Sequence, residues 1–167
     1  RPKREILFQA NFERNRDMFL GDRVKIPTGN WALNAKTVTD NKYWGRVSQL
    51  PQGRFRAFRV TKNVHIKFSC FVSKSAPMLL QMHNMNQKKD PSQSGMYFKK
   101  NFGTVQGQRW HTMTVNIMDG LTAYFNPGRY PIKHLDMFNG VWFYAGKPGS
   151  KVDFLIDDIE IYKKIYR

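Results

Sequence analysis

From Val64 to Ser73 the chain alternates apolar and polar residues: Val64, Ile66, Phe68, Cys70 and Val72 on one parity, His65, Lys67, Ser69 and Phe71 on the other. A period of two sends alternate side chains to opposite faces of an extended strand, so the first set is predicted to face a core. The same reading sets Met78, Leu80 and Met82 inward and Gln81, His83 and Met85 outward in the next run. In Met96 to Phe102 the outward set is Tyr97, Lys99 and Asn101. If these two strands are neighbours, one sheet face carries Gln81, His83, Tyr97 and Lys99 together.

Further runs of this kind span Ile6 to Phe12, Trp31 to Lys36, Trp44 to Leu50, Arg54 to Val60, Trp110 to Met118, Leu121 to Phe125, Val141 to Tyr144 and Val152 to Tyr162. Turn residues separate them: Pro51-Gln52-Gly53, the segment Pro91 to Gly95, Asp119-Gly120, Asn126-Pro127-Gly128, Asn139-Gly140 and Lys147-Pro148-Gly149. Long patterns with the 3.6-residue period of a helix are missing. The expectation is an all-β chain, a two-sheet antiparallel β-sandwich (jelly roll), with residues 1–167 forming a single domain.

Composition fits this reading, since 167 residues with 41% hydrophobic content can close one sizeable core. Charge changes the picture more. The chain carries a net +16, and between Asn41 and His111 thirteen Lys or Arg residues face a single acid, Asp90. Such a field repels itself in the folded state, which points to a polyanionic partner: nucleic acid, anionic lipid headgroups, or an acidic or sulfated polysaccharide. The lone Cys70 excludes an internal disulfide and is expected to be a buried structural thiol. No apolar run approaches the roughly 18 residues of a membrane span. The start at Arg1-Pro2-Lys3-Arg4, without Met or an apolar leader, reads as a mature or excised piece of something longer. The absence of Asn-x-Ser/Thr gives no support to a glycosylated eukaryotic ectodomain.

The C-terminal run Phe154-Leu155-Ile156-Asp157-Asp158-Ile159-Glu160-Ile161-Tyr162, with Asp153, concentrates four of the twelve acids in eight residues. Acids set among strand apolars cost desolvation energy unless paired or bound to a cation. This run resembles the closing motif of the calcium-bound jelly-roll carbohydrate-binding modules of bacterial polysaccharide-degrading enzymes. Asn11-Phe12-Glu13 resembles their opening strand and Trp31-Ala32-Leu33 their second. Gln108 to Val115 and Gly140 to Gly146 resemble later strands. The resemblance implies a noncatalytic module, part of a larger multidomain protein that is secreted or held at a bacterial cell surface. It implies a structural Ca²⁺ bound by Glu13 and Asp157, with backbone carbonyls from Gly29 to Trp31 completing the mixed oxygen shell such an ion tolerates. It also implies core positions for Trp31 and Trp110.

A second resemblance is to jelly-roll alginate lyases, through Gln81-Met82-His83 and Tyr124-Phe125-Asn126-Pro127-Gly128-Arg129-Tyr130. It implies β-elimination on a uronate polymer. Gln81 and Arg56 would neutralise the carboxylate, and His83 and Tyr130 would exchange protons. Against it, Asn126 stands where that motif has Lys, Pro127 interrupts the strand, and the arginine-rich motif is echoed only loosely in Arg54-Phe55-Arg56 and Arg59. No paired carboxylates suggest a glycosidase. A nucleic-acid-binding β domain is a further alternative, without a recognition motif to support it.

The reading that best joins these features is recognition of an anionic polysaccharide by a basic, aromatic-containing sheet face. Arg46, Arg54, Arg56, Lys67 and Lys99 are expected to supply charge, Gln81 and His83 polar orientation, and Trp44, Tyr97, Tyr130 and Trp142 stacking surfaces.

Overall fold

The computed structural model describes residues 3–17, 19–37, 43, 45–49 and 56–166. Trp44 and Arg54, both candidate ligand residues, lie outside the described residues, as does the whole of the expected turn Pro51-Gln52-Gly53. The strands in chain order are β1 (Lys3–Ala10), β2 (Phe19–Leu20), β3 (Asp22–Lys25), β4 (Trp31–Asn34), β5 (Lys36–Thr37), β6 (Gly45–Gln49) and β7 (Phe58–Arg59). There follow β8 (Val64–Val72), β9 (Ala76–Asn84), β10 (Met96–Val105), β11 (Trp110–Asn116), a single helical turn α1 (Ile117–Gly120), β12 (Thr122–Ala123), β13 (Met137–Ala145) and β14 (Phe154–Ile165).

These strands form two antiparallel sheets, as the alternation predicts. The first runs β11-β8-β14-β4-β3 with β1 paired to β14, and the second runs β12-β10-β9-β13-β6-β2 with β5 on β6 and β7 on β13. The chain termini are zipped side by side, from Lys3 opposite Ile165 to Ala10 opposite Ile159. Between the sheets lie Ile66, Phe68 and Cys70 from one side and Met78, Leu80, Met82, Phe98 and Phe143 from the other, all essentially solvent-free. Phe68 meets Phe143 across the gap with ring centroids 4.6 Å apart, within the range where offset aromatic pairs attract. Cys70 is buried here, and burial pushes its thiol up to about 12.

Several local expectations are corrected. Asn139-Gly140 does not turn the chain; it sits inside β13 as a bulge, with Gly140 at φ 84° and the register to β9 shifting between Asn139 and Val141. The last residues expected of the Trp110 to Met118 strand instead form α1, because Asn116 caps a turn by accepting from the Asp119 amide. Trp110 is not a core residue: it is 37% exposed and tilts against Phe71 on the outer face of the first sheet. Trp31 is only half-buried, beneath the Arg23 guanidinium at 4.5 Å.

Candidate functional site

The outer face of the second sheet brings together most of the outward set. Tyr97 on β10, His83 on β9 and Asn139 on β13 stand in one row, and Lys99, Gln81 and Trp142 in the next. A third row takes Leu79 and Tyr144 and reaches Arg46 on β6. Directly opposed residues in antiparallel strands point to the same side, so each row is a line of side chains. The bulge at Gly140 matters here: by absorbing one residue it keeps both Asn139 and Trp142 on this face while Phe138, Val141 and Phe143 stay in the core.

Aromatic contacts give the face its shape. Tyr97, 45% exposed, stands edge-on to Trp142 with centroids 5.5 Å apart and tilts against His83 at 5.0 Å. Tyr43 lies on Tyr144 at 4.7 Å. His83 Nδ1 is 2.7 Å from Asn139 Oδ1, which fixes the imidazole. At one end the face deepens into a cavity of about 520 Å³, walled by the loop 85–95 and by Tyr124 and Phe125. There the Tyr124 hydroxyl donates to Gln81 Oε1 at 2.8 Å. Burial, with Tyr43 and Tyr144 nearby, pushes the Tyr124 phenol up, so it stays protonated and acts as a donor. Lys99 Nζ sits 4.8 Å from the Tyr124 ring centroid and Lys89 Nζ 4.2 Å from that of Phe125.

A buried network holds this end in place. Asp136 Oδ2 accepts from Asn84 Nδ2, Gln87 Nε2 and the Lys133 amide at 3.0, 3.1 and 2.8 Å. Asn84 Oδ1 in turn accepts the Asn86 and Gln87 amides. The two loops that wall the cavity are therefore fastened to one carboxylate. Gly95 is needed at the rim, since a Cβ there would stand 2.5 Å from the Asn84 carbonyl oxygen and 2.6 Å from His83 Nε2.

Not every expected site residue belongs to this face. Lys67 lies on β8 in the other sheet, opposite Thr114 and Glu160, on the far side of the sandwich. Arg56 lines a separate cleft with Glu5, Phe58 and Lys163 near the β1 edge. Tyr130 is half-buried in the loop after β12, its ring packed on Phe125 with centroids 6.1 Å apart and Arg129 at 5.7 Å. The four residues of the β-elimination reading are thus not gathered: Gln81 and His83 share the face, Arg56 is in another cleft, and the tyrosine bonded to Gln81 is Tyr124. Tyr124, Tyr144, Asn139 and Lys89 were missed by sequence reasoning. The alternation around Trp142 would have marked Tyr144, but the bulge and the loop contacts carry no periodic signal.

At the sandwich edge, Glu13 and Asp157 come close. The Glu13 carboxylate accepts the Trp31 amide at 3.1 Å, which sets it at the turn preceding β4. Asp157 is 5% exposed, and its carboxyl is pushed up to about 7, mainly by burial and further by the charges of Asp158 and Glu13. Burial and Glu13 also raise Asp158, the bulge residue of β14 with φ 49°. Among the described residues no Lys or Arg forms an ion pair with Asp157; the one such pair is Arg4 with Glu160 at 3.1 Å. No three His, Cys, Asp or Glu side chains among the described residues form a ready metal-ligating group. What the edge offers a hard cation is a buried carboxylate without an ion-pair partner among the described residues and a second carboxylate nearby; the Phe12 and Glu13 carbonyls already accept from the Arg23 guanidinium at 2.7 and 2.6 Å.

No family model and no curated protein sequence matches the chain. Solved structures do. A family 11 carbohydrate-binding module from Clostridium thermocellum, in complex with a β-1,3-1,4-mixed-linked tetrasaccharide, is 18% identical over 89% of this chain and 85% of its own, with a TM-score of 0.54. The CBM22-1 xylan-binding domain from Paenibacillus barcinonensis is 16% identical over 98% and 97%, TM-score 0.51. The CBM22-1 and GH10 modules of a Clostridium thermocellum xylanase, complexed with xylohexaose, share 14% identity over 96% of this chain and 29% of that one, TM-score 0.54. The chain has the β-sandwich fold of these carbohydrate-binding modules.

Proposed function

We propose that this chain is a noncatalytic carbohydrate-binding module that holds an acidic or sulfated polysaccharide on the outer face of its second sheet. One observation carries the reading: Tyr97 and Trp142 stand on that face 5.5 Å apart, flanked by Gln81, His83 and Asn139. A pyranose offers an apolar C–H face to a ring and hydroxyls to amides and imidazole, which is the combination this strip supplies. The fold shared with modules described in complex with a tetrasaccharide and with xylohexaose supports a sugar ligand. Those sugars are neutral, so the preference for an anionic glycan rests on this chain's own charge: a net +16, with Lys89, Lys99 and Arg46 along the strip.

The proposal includes a structural Ca²⁺ held by Glu13 and Asp157, which would neutralise a buried carboxylate and pin β1 and β4 against β14. It also includes a place in a larger, secreted or cell-surface bacterial protein that this module would anchor to its polymer. No helix is long and apolar enough to cross a membrane among the described residues.

Affinity electrophoresis in gels containing polygalacturonate, alginate, a sulfated galactan or neutral xylan tests the reading. Retardation by one or more acidic polymers, lost in the Tyr97→Ala, Trp142→Ala double variant, is the expected result. Retardation that persists in the double variant would remove this face from the function.

A further inference from the structure

The cavity at the end of the strip, about 520 Å³, has a lopsided hydrogen-bonding character. Its amide oxygens are already engaged. Gln81 Oε1 takes the Tyr124 hydroxyl at 2.8 Å, Gln93 Oε1 takes the Lys89 amide at 3.2 Å, and Asn139 Oδ1 on the adjoining floor faces His83 Nδ1 at 2.7 Å. Gln81 and Gln93 both line the cavity, and with their oxygens engaged the groups these two amides have left to offer a guest are their Nε2 donors.

The cation that lines it, Lys89, and Lys99 beside its Tyr124 wall are held but not neutralised. Lys89 rests on Phe125 at 4.2 Å and Lys99 on Tyr124 at 4.8 Å, and a ring attracts an ammonium without cancelling its charge. No carboxylate lines the cavity among the described residues. Asp90, next to Lys89 in the chain, is committed elsewhere: its Oδ1 accepts from the Ser92 amide and hydroxyl at 2.8 Å each, and these bonds lower its pKa more than the Lys89 charge does. One lining ammonium, a second beside the Tyr124 wall, and two glutamine amides whose oxygens are used internally call for an acceptor-rich guest of negative charge.

We infer that this cavity is the subsite for one sugar residue bearing an oxyanion, a uronate carboxylate or a sulfate ester, seated among Lys89, Lys99 and the Gln81 and Gln93 amides. The inference rests on the glycan-binding reading of the face and adds where along it charge is recognised: at one end, with the Tyr97 and Trp142 strip free to stack against uncharged residues of the same polymer. It also gives the Tyr124 hydroxyl a positioning role, since its bond to Oε1 turns the Gln81 NH₂ toward the guest.

The test is titration of ¹⁵N-labelled protein with D-glucuronate, D-galactose 6-sulfate and D-glucose at fixed ionic strength, reading the side-chain amide signals of Gln81 and Gln93. One or both anionic sugars should shift these signals and glucose should not, which also separates carboxylate from sulfate as the guest. In Lys89→Met, an exposed loop position, the anionic response should weaken at least fivefold, and in Lys89→Met, Lys99→Met at least tenfold. Tyr124→Phe should weaken it while leaving the remaining spectrum unchanged. Equal response to glucose, or an undiminished response in Lys89→Met, would overturn the inference. A polymer that binds through Trp142 without any anion-specific shift leaves the glycan reading standing and refutes the subsite. An anion-specific shift without polymer binding does the reverse.

Discussion

Asn84 Nδ2 donates to Asp136 Oδ2 across 3.0 Å, and both side chains are buried. Asn84 ends β9 and Asp136 immediately precedes β13, so this bond joins the base of the loop 85–95 to the end of the loop that begins at Tyr124. The cavity walls are rigid in so far as this joint is.

Asp136→Ala would leave the Asn84 and Gln87 amides and the Lys133 N–H without their shared acceptor. A buried donor stranded in this way costs about 1–3 kcal/mol, and the loops can relax enough to recover part of the total. A loss of about 3 kcal/mol in urea denaturation is expected, with Asp136→Asn intermediate because its amide oxygen can still accept.

Trp142→Ala should act on binding and not on the fold. The indole is half-buried on the outer face, while its neighbours Val141 and Phe143 carry the core contacts of β13. Loss of one stacking surface and its water exclusion is expected to weaken polysaccharide binding by about tenfold or more, equivalent to about 1.4 kcal/mol. Calorimetric titration measures the first effect and the unchanged thermal midpoint checks the second.

Gly95→Ala tests how tightly the cavity rim is fitted. The added methyl would stand 2.5 Å from a backbone oxygen, that of Asn84, which cannot swing aside as a side chain would. Overpacking of this kind costs about 1–3 kcal/mol. The His83 imidazole, 2.6 Å from the same methyl, should also shift, so the His83 ring signals in an NMR spectrum are expected to move together with the loss of stability.

The fold was legible wherever strand faces differ in polarity. Val64 to Val72 and Ala76 to Asn84 bury the residues their alternation assigns, and the paired β9 and β10 set Gln81, His83, Tyr97 and Lys99 on one face. At Trp110 the core position implied by the resemblance is not observed: Val115 and Ile117 are buried and Met113 packs against the core, which leaves Trp110, of the opposite parity, outside. What could not be read were features set by long-range contact. Which sheet Lys67 joins depends on strand order, not on its own pattern, and its strand pairs with β14, far along the chain. The Gly140 bulge looked like a turn because Asn-Gly is the usual hairpin signal. Tyr124 and Lys89 reach the cavity from loops, where no periodicity tells a lining residue from a solvated one.

The last prediction concerns the acidic edge. The Asp157 carboxyl is raised from 3.8 to about 7 in the folded chain, by burial first and then by the charges of Asp158 and Glu13. A carboxyl whose folded value lies above its unfolded one binds more protons in the native state between the two, so stability falls as pH rises through that window. In chelator-treated protein this group's contribution should be most favourable below about pH 4 and should decline until about pH 7, above which it levels. A Ca²⁺ ion would take the proton's place and reverse the trend, since it binds the ionised carboxylate and therefore stabilises the fold more at pH 8 than at pH 5. Asp157→Asn separates the two effects. Without calcium it should be more stable than the unmodified chain at pH 8, because no charge is buried, and calcium should no longer raise its thermal midpoint. Thermal midpoints at pH 5 and pH 8, with and without about 5 mM calcium, roughly 5- to 50-fold above the dissociation constant of an extracellular-type site, give the four comparisons needed. A calcium-dependent gain that survives in both Asp157→Asn and Glu13→Gln would place the ion elsewhere.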